Sequence, residues 1–252
     1  MTLAETISSL RMPLTAGAAV SMGDTAVLLR SARPFAVRGD AKARELCDLL
    51  KDVRADGVVT PDESRRIVML LDTIVTGGPR LEQFVRLIPD FPKPGVLFRD
   101  VTGILDTPRA FNLALEEIDR ALEGTAFDVV VAPESRGFIF GSAVAARHGT
   151  AFVPVRKPGK LPRETISEEY DLEYGKSVLH MHKDAIIEGE RAVFIDDLLA
   201  TGGTAAAAVR LVERLGGRVV KLVFPIELEG FRARANALKG MDVVSLVRYP
   251  GK

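Results

Sequence analysis

The stretch Val193–Thr204, V-F-I-D-D-L-L-A-T-G-G-T, combines residue types and a spacing that can do chemistry. The apolar run Ala192–Ile195 ends in two adjacent carboxylates, Asp196 and Asp197. A turn of small residues follows, Ala200, Thr201, Gly202, Gly203 and Thr204, and then a helix-like run carrying Val209, Val212 and Leu215. A buried strand that delivers its C-terminal end to such a turn makes a phosphate cradle. The glycines let backbone N–H groups approach an anion, the threonine hydroxyls add donors, and the next helix presents its positive end. Like charges keep the aspartates off that phosphate. They are placed instead to accept hydrogen bonds from neutral hydroxyls, as on a ribose. Direct ligation of a divalent cation is the alternative, and it is the weaker one, because Mg²⁺ tends to keep its waters and bind substrate phosphates. One phosphate plus one diol describes a ribose 5-phosphate.

Four further stretches carry a resemblance: Ile88–Asp100 (I-P-D-F-P-K-P-G-V-L-F-R-D), Ala132–Gly141 (A-P-E-S-R-G-F-I-F-G), Arg156–Pro162 (R-K-P-G-K-L-P) and Leu172–Lys176 (L-E-Y-G-K). With the Asp-Asp turn, they resemble the type I phosphoribosyltransferases, and among these the branch that uses adenine, over roughly residues 81–250. The resemblance implies an α/β fold: a doubly wound, mainly parallel sheet with a small hood and a flexible flap. It implies that N9 of adenine displaces pyrophosphate from C1 of 5-phosphoribosyl 1-pyrophosphate (PRPP), giving AMP. The transition state would be oxocarbenium-like, so catalysis reduces to holding reactants in line, neutralising the leaving group and excluding water.

The same resemblance distributes the roles. Ala200–Thr204 would hold the 5-phosphate, and Asp196 and Asp197 the ribose hydroxyls. The turn Glu134, Ser135, Arg136 and Gly137 would bind the pyrophosphate through a cis Glu134–Ser135 peptide. Arg156, Lys157 and Lys160 would add cations, some of them across a dimer interface, so a homodimer is expected. Mg²⁺ is expected to arrive on the PRPP oxygens, with no direct protein ligand. Phe98 can stack on the adenine ring while backbone groups around Leu97 and Arg99 read its edge, although core packing explains Phe98 equally well. Glu173, in the flap beside Tyr174, is the candidate to bond N7 of the base as general acid or base once the lid closes. A 6-oxopurine such as xanthine or hypoxanthine would need a donor at its oxygen, and this set offers no obvious lysine for that. His148, His180 and His182 lack triad or ligand spacing and, with Cys47, read as structural.

Composition sets the class. Hydrophobic residues make up 47% of the 252 and charged residues 27%, enough for a proper core. Basic and acidic residues balance at 34 each, so the excess expected of a nucleic-acid binder is absent. A single cysteine allows no internal disulfide and suits a reducing cytosol. No apolar run approaches the roughly 20 residues of a membrane helix, and the first residues lack a basic secretory n-region. A cytoplasmic protein is expected.

Elements that could position these residues alternate from Thr107 onward. Helical spacing covers Ala110–Leu122, Gly137–Arg147, Thr204–Leu215 and Gly230–Leu238, and apolar strands cover Phe127–Ala132, Ala151–Val155, Arg191–Ile195, Val219–Phe224 and Asp242–Val247. Such alternation predicts a parallel sheet covered on both faces, with ligands beyond the strand C-termini. Lys157–Lys176 breaks the rhythm as a long polar interval and predicts a mobile flap. Pro89 and the run Pro92–Gly95 predict a rigid irregular hood.

Residues 1–80 lie outside the resemblance. Helical patterns cover Asp40–Val53 and Pro61–Ile74, while residues 1–35 show no firm period and are interrupted at Pro13 and Pro34. Between the two helices, Asp52–Glu63 matches an EF-hand calcium loop at its first (Asp52), fifth (Asp56), sixth (Gly57) and twelfth (Glu63) positions. Its third position is Arg54, which brings a positive charge and no lone pair, so an EF-hand shape without metal is expected. A PRPP-binding transcription regulator would also carry an N-terminal domain. Here residues 1–80 hold 11 Lys and Arg against 10 Asp and Glu, far from a basic recognition surface.

Overall fold

The computed structural model describes residues 2–10, 19–77, 80–171 and 176–251. The chain divides into two compact units, Met1–Arg80 and Leu81–Lys252.

The first unit is helical. It contains α1 (Leu3–Ser9), α2 (Met22–Val37), α3 (Ala41–Ala55) and α4 (Pro61–Thr76). Each begins on a side-chain cap: Thr2, Ser21, Asp40 and Thr60 accept from the backbone N–H three residues on. Leu28, Leu46, Leu50, Val53, Ile67 and Leu71 close a core with essentially no exposure. The stretch without a firm period thus holds two helices, in keeping with a helical N-terminal extension, and α2 continues through Pro34. The proline sits in the last turn, so the N–H to carbonyl bond it removes lies near the end of the helix rather than in its middle. Pro13 lies outside the described residues.

The EF-hand-like segment has other uses for its ligands. Thr60 donates from N (2.9 Å) and Oγ1 (2.7 Å) to Glu63 Oε2, as a capping box at the start of α4. Asp56 Oδ1 accepts from Val58 N–H, and Gly57 makes the turn at φ +76°. Arg54 reaches away to the Met22 carbonyl and Thr25 Oγ1, both at 3.2 Å. Among the described residues, no group of three or more His, Cys, Asp or Glu side chains could hold a metal ion. Calorimetric titration with calcium is accordingly expected to give no saturable heat up to low millimolar concentration. A saturable isotherm that disappears in Glu63→Gln would contradict this.

The second unit is built on a six-stranded sheet. A hairpin precedes it, in which β1 (Arg86–Pro89) pairs antiparallel with β2 (Leu97–Asp100). Then come α5 (Pro108–Leu122), β3 (Val129–Pro133), α6 (Arg136–His148) and β4 (Ala151–Val155). A second hairpin follows, β5 (Thr165–Asp171) against β6 (Lys176–His182). The chain re-enters the sheet with β7 (Arg191–Ile195), β8 (Leu198–Leu199), α7 (Gly203–Arg214), β9 (Arg218–Leu228) and β10 (Val243–Tyr249). The sheet order is β10-β9-β7-β3-β4, all parallel, with β8 beside the end of β9. Alternation sorts its faces. Val130, Val193 and Val223 pack under α5 and α6, whereas Val131, Phe194 and Phe224 pack against α7 and the second hairpin. β3 has β4 on one side and β7 on the other, so the winding reverses between β3 and β7. A crevice opens beyond the strand C-termini at such a switch point.

Three local expectations change. Gly230–Leu238 is not one helix but two short 3-10 turns, Glu229–Phe231 and Ala233–Ala235, separated by Arg232 at φ +56°. A left-handed residue cannot continue a helix. β9 runs past Phe224 to Leu228, because Pro225 falls between the last β7 pairing (Ile195 with Val223) and the first β8 pairing (Leu198 with Ile226). The polar interval after β4 contains a regular strand, β5, which with β6 forms a hairpin rooted on α7: Glu168 accepts from Arg210 (2.5 Å) and Arg214 (3.1 Å). The tip of that hairpin, residues 172–175, lies outside the described residues.

Candidate active site

The sheet brings the separated motifs together. β3 ends at Pro133, and Glu134, Ser135 and Arg136 turn into α6. β7 ends at Ile195, and Asp196 to Gly202 lead into α7. These two turns flank the switch point and wall a cavity of about 770 Å³. Asp196, Asp197, Ala200 to Thr204, Glu134, Ser135, Arg136, Lys157 and Lys160 all line it. Tyr170, Leu179 and Phe224, which pattern reading did not single out, complete the wall from the hairpin and from β9.

Both helices that start here have open N-termini. Each helix from α1 to α5 is capped by a Thr, Ser or Asp side chain, yet neither Ser135 at α6 nor Gly202 at α7 supplies a capping side-chain bond. Apart from the Gly203 N–H, which reaches Thr201 Oγ1 at 3.4 Å, no side-chain cap takes the first-turn N–H groups of α6 and α7, and the two positive helix ends converge on one cavity. Gly202 adopts φ +82°, which a side chain would resist.

The acidic pair is asymmetric. Asp197 is buried and Arg136 Nε donates to its Oδ2. The Asp197 N–H donates to Asp196 Oδ1 at 2.9 Å. Burial, and next the negative charge of Asp197, push the Asp196 carboxyl well above the usual carboxylate range. Gly137 makes the approach possible. A Cβ there would lie 2.7 Å from Pro133 Cδ and 2.9 Å from Asp196 Oδ1.

Glu134 and Arg156 form a second unit. Arg156 donates from Nε (3.1 Å) and Nη2 (2.8 Å) to Glu134 Oε2, while Lys157 N–H donates to Glu134 Oε1 at 2.6 Å. Burial raises the Glu134 carboxyl, but those bonds and the Arg156 charge hold it below its ordinary value. The register of β3 and β4, with Pro133 opposite Val155, sets this pair side by side. Arg156 is thus spent on Glu134 and lies outside the cavity wall, leaving Lys157 and Lys160 as the cations of that edge. The Glu134–Ser135 peptide is cis.

Leu97, Phe98 and Arg99 lie on β2, in the hood, and outside the cavity wall. Phe98 meets Phe91 edge-on, with ring centroids 5.0 Å apart, and Arg99 Nη1 donates to the Leu97 carbonyl at 2.7 Å. Glu173 and Tyr174 lie outside the described residues.

Residues 100–243 match the family model described as phosphoribosyl transferase domain. An adenine phosphoribosyltransferase of Lachnoclostridium phytofermentans is 52% identical over 173 residues, 69% of this chain and 99% of that relative. The solved adenine phosphoribosyltransferase of Thermoanaerobacter pseudethanolicus is also 52% identical, with a TM-score of 0.65 over 67% of this chain and 98% of its own. That of Saccharomyces cerevisiae, solved with an imino-altritol bisphosphate and adenine, is 36% identical, with a TM-score of 0.62 over 66% of this chain and 96% of its own.

Proposed function

This chain belongs to the phosphoribosyltransferase family, among the adenine phosphoribosyltransferases, and from that premise we infer that it transfers the 5-phosphoribosyl group of PRPP to adenine, releasing AMP and pyrophosphate. The observation that carries this reading is the cavity itself, where two uncapped helix N-termini and the Asp196–Asp197 pair converge. Two anion cradles with an acceptor pair between them match a substrate with a phosphate at C5, a pyrophosphate at C1 and a diol.

We propose the following division of labour. The N–H groups of the Ala200–Thr204 turn and of α7 bind the 5-phosphate. Asp196 and Asp197 accept from the ribose hydroxyls, with Arg136 steadying Asp197. Ser135, Arg136, Gly137 and the start of α6 take the pyrophosphate, helped by Lys157 and Lys160. Glu134, with its lone pairs already engaged, holds the Lys157 turn in place and, with Arg156, supports the site from behind. Leu97, Phe98 and Arg99 receive adenine under the hood. Glu173, next to Tyr174 in sequence, is the general acid or base for N7 of the base.

Magnesium fits this donor set only as a companion of the substrate. The cavity has one carboxylate pair, of which Asp197 is bonded to Arg136, so the metal's remaining ligands would come from PRPP. Bound in that way, it would neutralise charge on the departing pyrophosphate. Leu87, Phe91 and Leu97 of the hood remain exposed in the single chain, apolar surface that a second copy would cover, which supports a homodimer. A cytoplasmic setting fits the same reading, as does a chain with a single cysteine.

With PRPP, magnesium and adenine, AMP and pyrophosphate are expected in equal amounts, and neither when adenine is left out. Glu173→Gln is expected to lower kcat about tenfold with little change in KM for PRPP. The amide still bonds N7, and what is lost is the interaction that develops in the transition state. An unchanged kcat would remove Glu173 from the mechanism.

A further inference from the structure

An ion pair away from the cavity connects to it through one packed segment. Glu227, near the end of β9, is 3% exposed. Arg234 grips it bidentately, with Nε to Oε1 at 2.9 Å and Nη2 to Oε2 at 2.7 Å. The same guanidinium donates to the Val243 carbonyl and, at 3.0 Å, to Ser245 Oγ, both on β10. Burial raises the Glu227 carboxyl, but the bonds from Arg234 and Ser245 and the Arg234 charge hold it below its ordinary value, so the pair is ionic. A fork of this kind fixes direction as well as distance.

Arg234 belongs to the short 3-10 turn Ala233–Ala235, whose shape local sequence does not favour. Arg232, just before it, sits at φ +56°, a conformation that a non-glycine residue keeps only when its surroundings impose it. The residues around Arg234 press on the phosphate turn. A Cβ built on Gly202 would lie 3.1 Å from Ala233 Cβ and 3.3 Å from both Ala237 Cβ and Leu238 Cγ. Ala233 and Leu238 are 2% and 1% exposed, so this contact is closed to water. Glu227 is also the β9 partner of Leu199, the residue immediately before the turn. One carboxylate thus sits in the strand that holds the turn's entry and anchors the segment that backs its middle.

We propose that Arg234, locked on Glu227, is a positioning residue for the 5-phosphate turn: it holds Ala233 and Leu238 against Gly202 and so keeps the N-terminal N–H groups of α7 aimed at the phosphate. This rests on the assignment of Ala200–Thr204 to the 5-phosphate. It touches neither base nor pyrophosphate, and its effect belongs to PRPP alone.

The test is steady-state kinetics and calorimetric binding of ribose 5-phosphate for Arg234→Lys, Glu227→Gln and Ala233→Gly in the full chain. Arg234→Lys keeps the charge and loses the fork, and is expected to raise KM for PRPP about tenfold. Its kcat and its KM for adenine should stay within about twofold, because the pull on the base is untouched. Glu227→Gln should shift KM for PRPP in the same direction. Ala233→Gly removes the methyl against Gly202 without disturbing the ion pair, and about a threefold rise is expected. Ribose 5-phosphate affinity should weaken in parallel. A purely structural role would instead lower kcat through loss of active protein and leave KM unchanged, and that result would overturn the proposal. Should Arg234→Lys not fold, the other two variants decide. Wild-type protein that fails to bind ribose 5-phosphate would defeat the phosphate assignment itself. Wild-type protein that binds it no better than all three variants would defeat only the role of Arg234.

Discussion

Replacing Asp196 and Asp197 together by Asn is expected to lower kcat/KM for PRPP by at least about a hundredfold, with the fold retained. A hydrogen bond to a charged group contributes about 1.5–3 kcal/mol and each 1.36 kcal/mol is tenfold in rate, so above the pH at which Asp196 ionises the loss of two charged acceptors reaches that size. The fold should survive because the two positions differ. At Asp196 burial already opposes the charged form, so a neutral amide of the same shape relieves a cost. At Asp197 the variant loses its ionic bond to Arg136, a side chain that is nearly half exposed. KM for adenine should barely change. A double variant with unimpaired PRPP use would remove the acidic pair from the ribose.

The same pair sets a pH dependence. Burial and the neighbouring Asp197 favour the protonated form of Asp196, and a protonated carboxyl is a poorer acceptor for a diol. As pH falls, kcat/KM for PRPP, which reports the free enzyme, should therefore decline at a pH above the ordinary carboxylate range. Asp196→Asn should lose that acid limb.

What could be read from the chain was chemistry carried by consecutive residues. Asp196 to Thr204 is a strand end, a turn and a helix start in one run, so its types and order already describe the cradle. The turn at Glu134–Gly137 has the same character. What could not be read depends on adjacency across the sheet. The pairing of Glu134 with Arg156 exists because β3 and β4 lie side by side, and nothing local distinguishes Arg156 from Lys157 or Lys160. The tie between Glu227 and Arg234 is hidden in the same way, inside a segment whose composition reads as helix. In the N-terminal unit, α2 escaped notice because its buried positions are Thr25, Leu28 and Ala32. Two of those three are small or polar, which erases the apolar period that revealed α3 and α4.

Adenine should be preferred over hypoxanthine, guanine, xanthine and orotate by at least about a hundredfold in kcat/KM, because a site that bonds a base edge leaves its own polar groups unpaired when the edge is wrong. Adenine offers an N6 donor and an N1 acceptor. A 6-oxopurine reverses both, and would meet the wrong partners in the base-edge contact proposed here for the backbone groups around Leu97 and Arg99. The assay is nucleotide formation from PRPP and magnesium with each base in turn at equal concentration, read as nucleoside monophosphate and pyrophosphate. The account predicts AMP from adenine and only traces from the rest. Turnover of hypoxanthine at a rate comparable with adenine would contradict it.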